Sequence, residues 1–326
     1  MPRITLSSSA GLRTAGRCVA LSVVALFIAV AGDAQRAPVP RRSAVVAEDG
    51  HSLVLWSKRP AGPARRAVLL LHGRTWSSLP NFDLHVSGQR VSLMDALVAH
   101  GYAVYALDQR GYGATARDSS GWLTPSRAAS DARLALDWVA AHERRAGRPV
   151  LFGYSQGSMT AMLTAQRDTL AMSALVLYGF PLDLAAAKAM SASSGAQQER
   201  TQPERRATTA AGAGEDFITP ESTPPGVRDA YVRAATAADP VRADWRGEIE
   251  FASMDPARLR VPTLLINGER DPYATRAKLG GFMRQIAGVD HAWVVLGRSD
   301  HAAHLERQQS FVDAIVAFVE QSARGR

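Results

Sequence analysis

"PVLFGYSQGSMTAML", residues 149–163, decides the fold of this 326-residue chain. Its first half is a short apolar run typical of a buried strand, and its second half has the apolar spacing of a helix. Ser155 stands at the turn between them, with Gly153 and Gly157 two residues away on either side. The pattern G-x-S-x-G is typical of a serine on a sharp strand-to-helix turn, where small flanking residues let neighbouring backbone segments approach. The stretch therefore predicts that Ser155 is a nucleophile.

Apolar runs of the same kind recur along the chain and are typical of parallel strands buried on both faces. They are "AVLLLHG" (67–73), "YAVYALD" (102–108), "PVLFGYS" (149–155), "SALVLYGF" (173–180), "VPTLLING" (261–268) and "HAWVVLG" (291–297). Helical patterns separate most of them, at 91–100, 125–146, 156–168, 274–287 and 304–323. This alternation predicts an α/β fold with a doubly wound, mostly parallel sheet. Two β-rich runs within 43–58, joined by "EDGH", predict a leading antiparallel hairpin.

The alternation stops over residues 183–258, which are rich in Ala, Gln, Arg, Thr and Pro. We interpret this stretch as a partly helical cap inserted over the carboxyl edge of the sheet, where folds of this kind place ligands. The core then consists of a first part, 35–182, and a second part, 259–326. The hydrophobic content of 46% can supply a core of that size.

Residues 1–34 have the plan of a secretory signal peptide. Three arginines precede the apolar run Cys18–Ala31, and small residues follow it, so cleavage is expected after Ala31 or Ala34. The run is shorter than the roughly 20 apolar residues that a membrane span needs. We therefore expect an exported protein, periplasmic or extracellular, with an uncleaved N-terminal membrane anchor as the alternative.

Composition restricts the chemistry of the exported chain. Cys18 is the only cysteine and would leave with the signal, so no disulfide or cysteine metal site is expected. Removing residues 1–34 takes away three arginines and one aspartate, which lowers the formal net charge from +8 to +6. The remaining arginines are scattered, so no nucleic-acid partner is expected. We find no metal motif, phosphate-binding loop or dinucleotide fingerprint, and we expect no cofactor and no bound metal.

A serine hydroxyl is a poor nucleophile, so a base and an orienting acid are required. The base is expected in a loop after the last strand, where "GRSDHAAHLE" (297–306) offers His301 and His304. His301 is favoured because it precedes the final helix, whereas His304 lies one turn into it.

The acid is expected after the preceding strand. Asp271 in "INGERDP" (266–272) fits that loop best, with Glu269 and Asp183 as alternatives. The resulting chain order of serine, aspartate and histidine is the one this type of sheet requires. The predicted catalytic residues are Ser155, Asp271 and His301.

An acyl-transfer site also needs donors for the oxyanion. One is expected to be the backbone N–H of Gln156, directly after the nucleophile, and the other that of Arg74, with Thr75 as the alternative. The large side chains after the oxyanion loop and on the first helical turns are expected to line the substrate pocket. They are Trp76, Phe82 and Met159.

Five motifs together resemble the α/β-hydrolase family over about residues 43–323. They are "LLLHG", "DQRGYG", "GYSQG", "INGERDP" and "GRSDHAAHLE", in family order. The resemblance implies the α/β-hydrolase fold, a serine-hydrolase mechanism and a cap. The chain departs from the family in two places: "HGR" stands where many lipases have HGGG, and Asp300 replaces the glycine often found before the histidine.

The expected function is hydrolysis of a small-molecule carboxylic ester through an acyl-enzyme, with no stable membrane partner after signal cleavage. An aminopeptidase or amidase, and an acyltransferase, would use the same residues. A non-catalytic binding protein on this fold is the alternative outside enzymes.

Overall fold

The computed structural model describes residues 39–193, 200–287 and 290–324, so the predicted signal peptide lies outside the described residues. The strands are β1 (Arg41–Val46), β2 (Ser52–Lys58), β3 (Arg66–Leu71), β4 (Tyr102–Asp108), β5 (Trp122–Leu123), β6 (Val150–Tyr154), β7 (Ala174–Tyr178), β8 (Asp244–Trp245), β9 (Thr263–Gly268) and β10 (His291–Leu296). The α-helices are α1 (Ser78–Phe82), α2 (Leu93–Ala99), α3 (Pro125–His142), α4 (Gln156–Arg167), α5 (Leu184–Ser193), α6 (Ala210–Ala213), α7 (Val227–Ala238), α8 (Arg276–Met283), α9 (Ala303–Glu306) and α10 (Gln308–Arg324). Short 3₁₀ helices cover Arg144–Ala146, Pro220–Ser222, Glu248–Ser253 and Pro256–Arg258.

Within the described residues, eight strands form one sheet in the order β1-β2-β4-β3-β6-β7-β9-β10. The pairs β1–β2 and β2–β4 are antiparallel, and the other neighbours are parallel. The predicted doubly wound, mostly parallel sheet with a leading antiparallel hairpin is therefore confirmed. Strand β6, which ends at the turn carrying Ser155, lies in the interior of this sheet between β3 and β7.

Helices cover both faces of the sheet, because strands that are apolar at successive positions present apolar side chains to both sides. Since side chains alternate between faces along a strand, Val68 and Leu70 of β3 pack with α2 and α10, whereas Leu69 and Leu71 pack with α3, α4 and α8. The core is thus two apolar layers, one on either side of the sheet. Helix α3 begins where Thr124 accepts a hydrogen bond from the N–H of Arg127 and Pro125 takes the first helical position.

The final helical pattern is interrupted in the structure. Residues 304–323 were predicted as one helix, but α9 ends at Glu306 and α10 starts at Gln308. Arg307 between them has φ −131° and ψ 42°, outside the helical region. The short α9, which carries His304, is therefore a separate turn of helix.

The described part of the stretch 183–258 consists of α5–α7, β8 and short 3₁₀ segments. Phe217 and Tyr231 from this stretch pack in one buried cluster with Trp76 from the loop after β3 and Leu305 of α9. Strand β8 pairs in parallel with β5 in a small second sheet that the sequence pattern did not predict. Among the described helices, none has both the length and the apolar character needed to cross a membrane.

Candidate active site

Ser155 occupies a strained turn between β6 and α4. Its φ is 53° and its ψ is −123°, a left-handed conformation that residues other than glycine rarely adopt. The backbone N–H of Ser155 donates to the carbonyl of Tyr178 on β7 at 2.8 Å, which anchors the turn to the sheet. Strain of this kind costs about 1–3 kcal/mol and is found preferentially at functional sites.

The two glycines of the motif allow the strand, the turn and the helix to approach one another. A Cβ atom on Gly153 would lie 2.3 Å from the carbonyl oxygen of Gly157. A Cβ atom on Gly157 would lie 2.3 Å from the carbonyl oxygen of His72 and 2.4 Å from that of Leu71. No side chain fits at either position without moving backbone, which is the close approach that the sequence pattern predicts.

His301 and Asp271 form a buried pair on neighbouring loops. His301 Nδ1 lies 2.8 Å from Asp271 Oδ2. The other carboxylate oxygen, Oδ1, accepts hydrogen bonds from the N–H groups of Tyr273 at 2.9 Å and Ala274 at 3.0 Å. These contacts hold the carboxylate at the start of the loop after β9 and fix the imidazole against it.

The pair shifts the pKa of both its members. Burial opposes ionisation of Asp271, but the charge and hydrogen bond of His301 and the two N–H groups outweigh it and hold the pKa below 3.8. Burial also disfavours the charged form of His301, but the Asp271 carboxylate outweighs it and raises the pKa of the imidazole above 6.5. Because an ionised carboxylate only accepts hydrogen bonds, Nδ1 of His301 carries the proton and Nε2 is left as an acceptor.

His304 of α9 is also buried, but its ring contacts partners other than Asp271. Its Nε2 lies 3.0 Å from the carbonyl oxygen of Asn81, and its Nδ1 lies 3.1 Å from the Tyr178 hydroxyl. Burial lowers the pKa of His304 to about 3, so the ring is neutral at physiological pH. Both ring nitrogens therefore face structural partners.

The alternative acids also contact backbone groups. Glu269 Oε2 accepts the N–H of Arg298 at 3.0 Å. Asp183 Oδ1 accepts the N–H groups of Ala185 and Ala186 at 3.1 and 3.0 Å, which caps the start of α5. The structure pairs neither carboxylate with His301.

Ser155 and His301 line one cavity of about 320 Å³. The predicted oxyanion residues Gln156 and Arg74, the alternative donor Thr75 and the predicted pocket residues Trp76 and Met159 line it too. Phe82 does not: it is fully buried, with its ring centroid 5.8 Å from that of Phe152 and 6.3 Å from that of His304. Phe82 is a core residue of the face covered by α10, and we leave it out of the proposed substrate site.

The stretch 183–258 contributes polar groups to the cavity that no sequence motif predicts. Asp216 and Glu215 line the cavity, and the Tyr154 hydroxyl lies 3.4 Å from Asp216 Oδ2. Burial raises the pKa of the Asp216 carboxyl, although the nearby His301 acts in the opposite direction. No local sequence motif marks these carboxylates, because their place in the cavity depends on how residues 183–258 fold against the rest of the chain.

Asp300 joins the loop that carries His301 to the stretch 183–258. Its Oδ2 accepts the N–H of Thr219 at 2.5 Å, and its Oδ1 accepts the Thr219 hydroxyl at 2.9 Å. The N–H of Asp300 in turn donates to Glu306 Oε2 at 2.7 Å. The sequence marks Asp300, because it stands where the family often has glycine, but it does not show that Thr219 is its partner.

Glu248 contacts the side chains of both predicted oxyanion residues. The Arg74 guanidinium bonds both Glu248 oxygens, with Nη2 to Oε2 at 2.9 Å, and Gln156 Nε2 donates to Oε1 at 2.8 Å. The Tyr112 hydroxyl donates to the carbonyl of Arg74. The loop after β3 is therefore held through both the side chain and the backbone of Arg74.

A lysine ammonium already lies between the carboxylates of a candidate cation site among the described residues. Asp83, His85 and Asp95 bring ligand atoms within 4.8 Å of one another. The buried Lys58 ammonium donates to Asp83 Oδ1 and Asp95 Oδ1, each at 2.6 Å. Since one ammonium already bridges the two carboxylates, we interpret the cluster as a structural ion pair.

Comparison with known proteins identifies the family. The family model described as "Serine aminopeptidase, S33" matches residues 62–308. No match is found among curated proteins. Similar solved structures include a thermophilic esterase from Thermogutta terrifontis, which is 20% identical over 86% of this chain and 99% of that chain, with a TM-score of 0.56. Another is a hydrolase from Pseudomonas aeruginosa PA01, which is 22% identical over 86% of this chain and 98% of that chain, also with a TM-score of 0.56. A third, from a study of carboxylesterases of Nitrososphaera gargenis, is 15% identical over 86% of this chain and all of that chain, with a TM-score of 0.58.

At these identities the solved structures establish the fold, and the family match establishes membership. The matched region spans more than half of the chain and includes the Ser155 turn, Asp271 and His301. The chain belongs to the S33 serine aminopeptidase family of α/β hydrolases.

Proposed function

We propose that this hydrolase cleaves carboxylic esters through a catalytic triad of Ser155, His301 and Asp271. The observation that carries the proposal is that Ser155 on its strained turn and His301, which is paired with the buried Asp271, line one cavity. A thermophilic esterase is among the proteins of similar fold.

The first half of the reaction forms an acyl-enzyme. Nε2 of His301 accepts the proton of the Ser155 hydroxyl while its oxygen attacks the acyl carbonyl. Asp271 keeps the proton of His301 on Nδ1 and stabilises the imidazolium that forms. The backbone N–H groups of Gln156 and Arg74 bind the oxyanion of the tetrahedral intermediate.

The second half releases the acid. It begins once the first tetrahedral intermediate has collapsed: the bond from the acyl carbon to the alcohol oxygen breaks, His301 gives its proton to the leaving alcohol, and the completed acyl-enzyme is open to water. His301 then activates that water to attack the acyl carbon, and Ser155 leaves with the proton. The chain's own residues supply every proton transfer in this scheme.

A panel of chromogenic substrates tests the proposal. We expect nitrophenyl esters to be hydrolysed, and we expect short acyl chains to be preferred because the cavity is only about 320 Å³. Absence of turnover on every ester, with turnover on aminoacyl-nitroanilides, would favour the second candidate described next.

The second candidate is hydrolysis of amides that carry a free amine. Asp216 and Glu215 line the same cavity as Ser155 and offer carboxylates to an ammonium group. The family description, serine aminopeptidase, supports this candidate too. A free-amine nitroanilide and its N-acetylated form separate it from a general amidase, because only the free amine could pair with these carboxylates.

The pH dependence follows from the His301 pKa. The base must be neutral, so activity falls as the pH drops through this pKa. Because Asp271 raises the pKa of His301 above 6.5, the acid limb of kcat/KM is expected to have its midpoint above pH 6.5. In Asp271→Asn the carboxylate charge is lost, so the midpoint should move to lower pH and kcat should fall about 10⁴-fold. A wild-type midpoint at or below 6.5, measured between pH 5 and 9, would contradict the assignment.

We also propose that the protein is exported and that its signal is removed. The mature chain is expected to begin at Gly32 or Gln35, which follow Ala31 and Ala34. N-terminal sequencing of the protein recovered from the periplasm or medium measures this directly. A product that keeps residues 18–31 and sediments with membranes would support the anchor instead.

A further inference from the structure

We propose that Glu248 is a positioning residue for the oxyanion hole, through which the inserted stretch sets the rate of the chemical step. The inference rests on the proposed function, since it concerns the two backbone donors assigned to Arg74 and Gln156. These donors lie on different elements: Arg74 is in the loop after β3, and Gln156 begins α4. Their separation is therefore set by the pairing of β3 with β6 beneath them and by the contacts between the loop and the helix.

One carboxylate joins the two elements. Glu248 Oε1 accepts hydrogen bonds from the Arg74 guanidinium and from Gln156 Nε2, the latter at 2.8 Å, while Oε2 accepts Arg74 Nη2 at 2.9 Å. Both oxygens are thus used to bridge the side chains of the two donor residues. An ionised carboxylate suits this place because it accepts several hydrogen bonds at once.

Few other contacts orient the Gln156 amide. Gln156 is only 4% exposed, and its Oε1 has no hydrogen-bond partner among the described residues. The bond from Nε2 to Glu248 is therefore the contact that fixes its amide plane. Loss of Glu248 would leave a buried amide with neither end bonded, at the residue whose backbone N–H is the first oxyanion donor.

The same segment of the insertion also reaches the backbone of Arg74. Trp245 Nε1 donates to the Tyr112 hydroxyl at 2.8 Å, and that hydroxyl donates to the Arg74 carbonyl. Residues 245–248 thus contact Arg74 from two directions, at its carbonyl through Tyr112 and at its guanidinium through Glu248. Movement of this segment would shift the peptide that carries the second oxyanion donor.

The exposure of the ion pair predicts that its loss affects rate more than stability. The side chains of Arg74 and Glu248 are 44% and 36% exposed, and ion pairs this accessible to solvent contribute little to folding. Oxyanion donors, by contrast, act only in a narrow range of distance, and a displacement of about 1 Å can cost about 100-fold in rate. A positioning residue should therefore lower kcat while leaving KM nearly unchanged, and the melting temperature should fall only modestly, because the buried Gln156 amide loses its partner.

Glu248→Ala and Glu248→Gln test this, with Glu250→Ala as the matched control. Glu250 lies in the same 3₁₀ helix, but its carboxylate accepts hydrogen bonds from Ser126 and Arg167 instead of from Arg74 and Gln156. We expect kcat on a nitrophenyl ester to fall about 10- to 100-fold in Glu248→Ala, with KM within about threefold of wild type. Glu248→Gln keeps one acceptor oxygen in the same shape and should fall less. Glu250→Ala should keep its kcat.

The rate of labelling by a fluorophosphonate separates this inference from the proposed function. The probe reports an activated serine and its oxyanion donors whatever the natural substrate. Slower labelling of Glu248→Ala than of Glu250→Ala would support the positioning role. Equal rates for wild type and both variants would overturn it while leaving the triad intact. A wild-type protein that does not label at all would overturn the proposed function, and this inference with it.

Discussion

Replacing Ser155 with alanine is expected to lower kcat/KM for a good ester by about 10⁴- to 10⁶-fold, the loss typical when a hydrolase nucleophile is removed. The reason is chemical: alanine offers no atom that can form the acyl-enzyme. The backbone of the turn, the N–H of Gln156 and the Asp271–His301 pair remain in place. Steady-state kinetics with a nitrophenyl ester measures the effect.

The same variant should fold like wild type. Alanine keeps the Cβ atom, so the backbone strain at a φ of 53° is the same in the variant as in wild type. The unfolding free energy is therefore expected to change by less than about 1 kcal/mol. Ser158→Ala is the matched control, since Ser158 lies one turn along α4 and its hydroxyl donates to the Ser155 carbonyl at 2.5 Å. It should keep at least about a tenth of the activity, because it removes one supporting hydrogen bond and no reacting group. A Ser155→Ala protein with wild-type turnover would exclude the triad.

Replacing His301 with alanine is expected to lower kcat by about 10⁴-fold or more, because it removes the group that accepts the Ser155 proton. His304→Ala is the matched comparison, three residues away. His304 bonds Asn81 and lies beside Tyr178, so its loss should lower stability by about 2–4 kcal/mol through a buried cavity and unpaired polar groups. Its turnover per folded molecule should stay within about tenfold of wild type.

Kinetics and thermal unfolding of the two histidine variants distinguish these roles. The expected pattern is loss of turnover in folded His301→Ala and near-normal turnover in folded His304→Ala. Thermal unfolding shows how much of each variant is folded, since both rings are buried and hydrogen-bonded. The reverse pattern of activity would assign the base to His304. In that case the serine mechanism would survive, but the Asp271–His301 pair would be structural.

The parts of the fold and site that the sequence predicts are those encoded within short segments. The Ser155 turn is marked by an apolar strand, two glycines and a helix within 15 residues. Asp271 and His301 follow two strands that are neighbours in the sheet, β9 and β10, so their loops necessarily lie side by side at its carboxyl edge.

The parts that it does not predict depend on contacts between distant segments. The bond of Glu248 to Arg74 joins residues 174 positions apart, and that of Asp300 to Thr219 joins residues 81 positions apart. Neither pair lies on a periodic element that would show its partner. Phe82 was misjudged for the same reason: a large apolar residue shortly after the oxyanion loop can face the cavity or the core, and here it packs against Phe152.

The most direct test of the central claim is to find where a fluorophosphonate binds covalently. The protein is incubated with the probe, digested and analysed by tandem mass spectrometry. The account predicts one adduct, on Ser155, that is absent from Ser155→Ala and forms more slowly in His301→Ala. An adduct on another serine, or no adduct on a protein that hydrolyses esters, would contradict it.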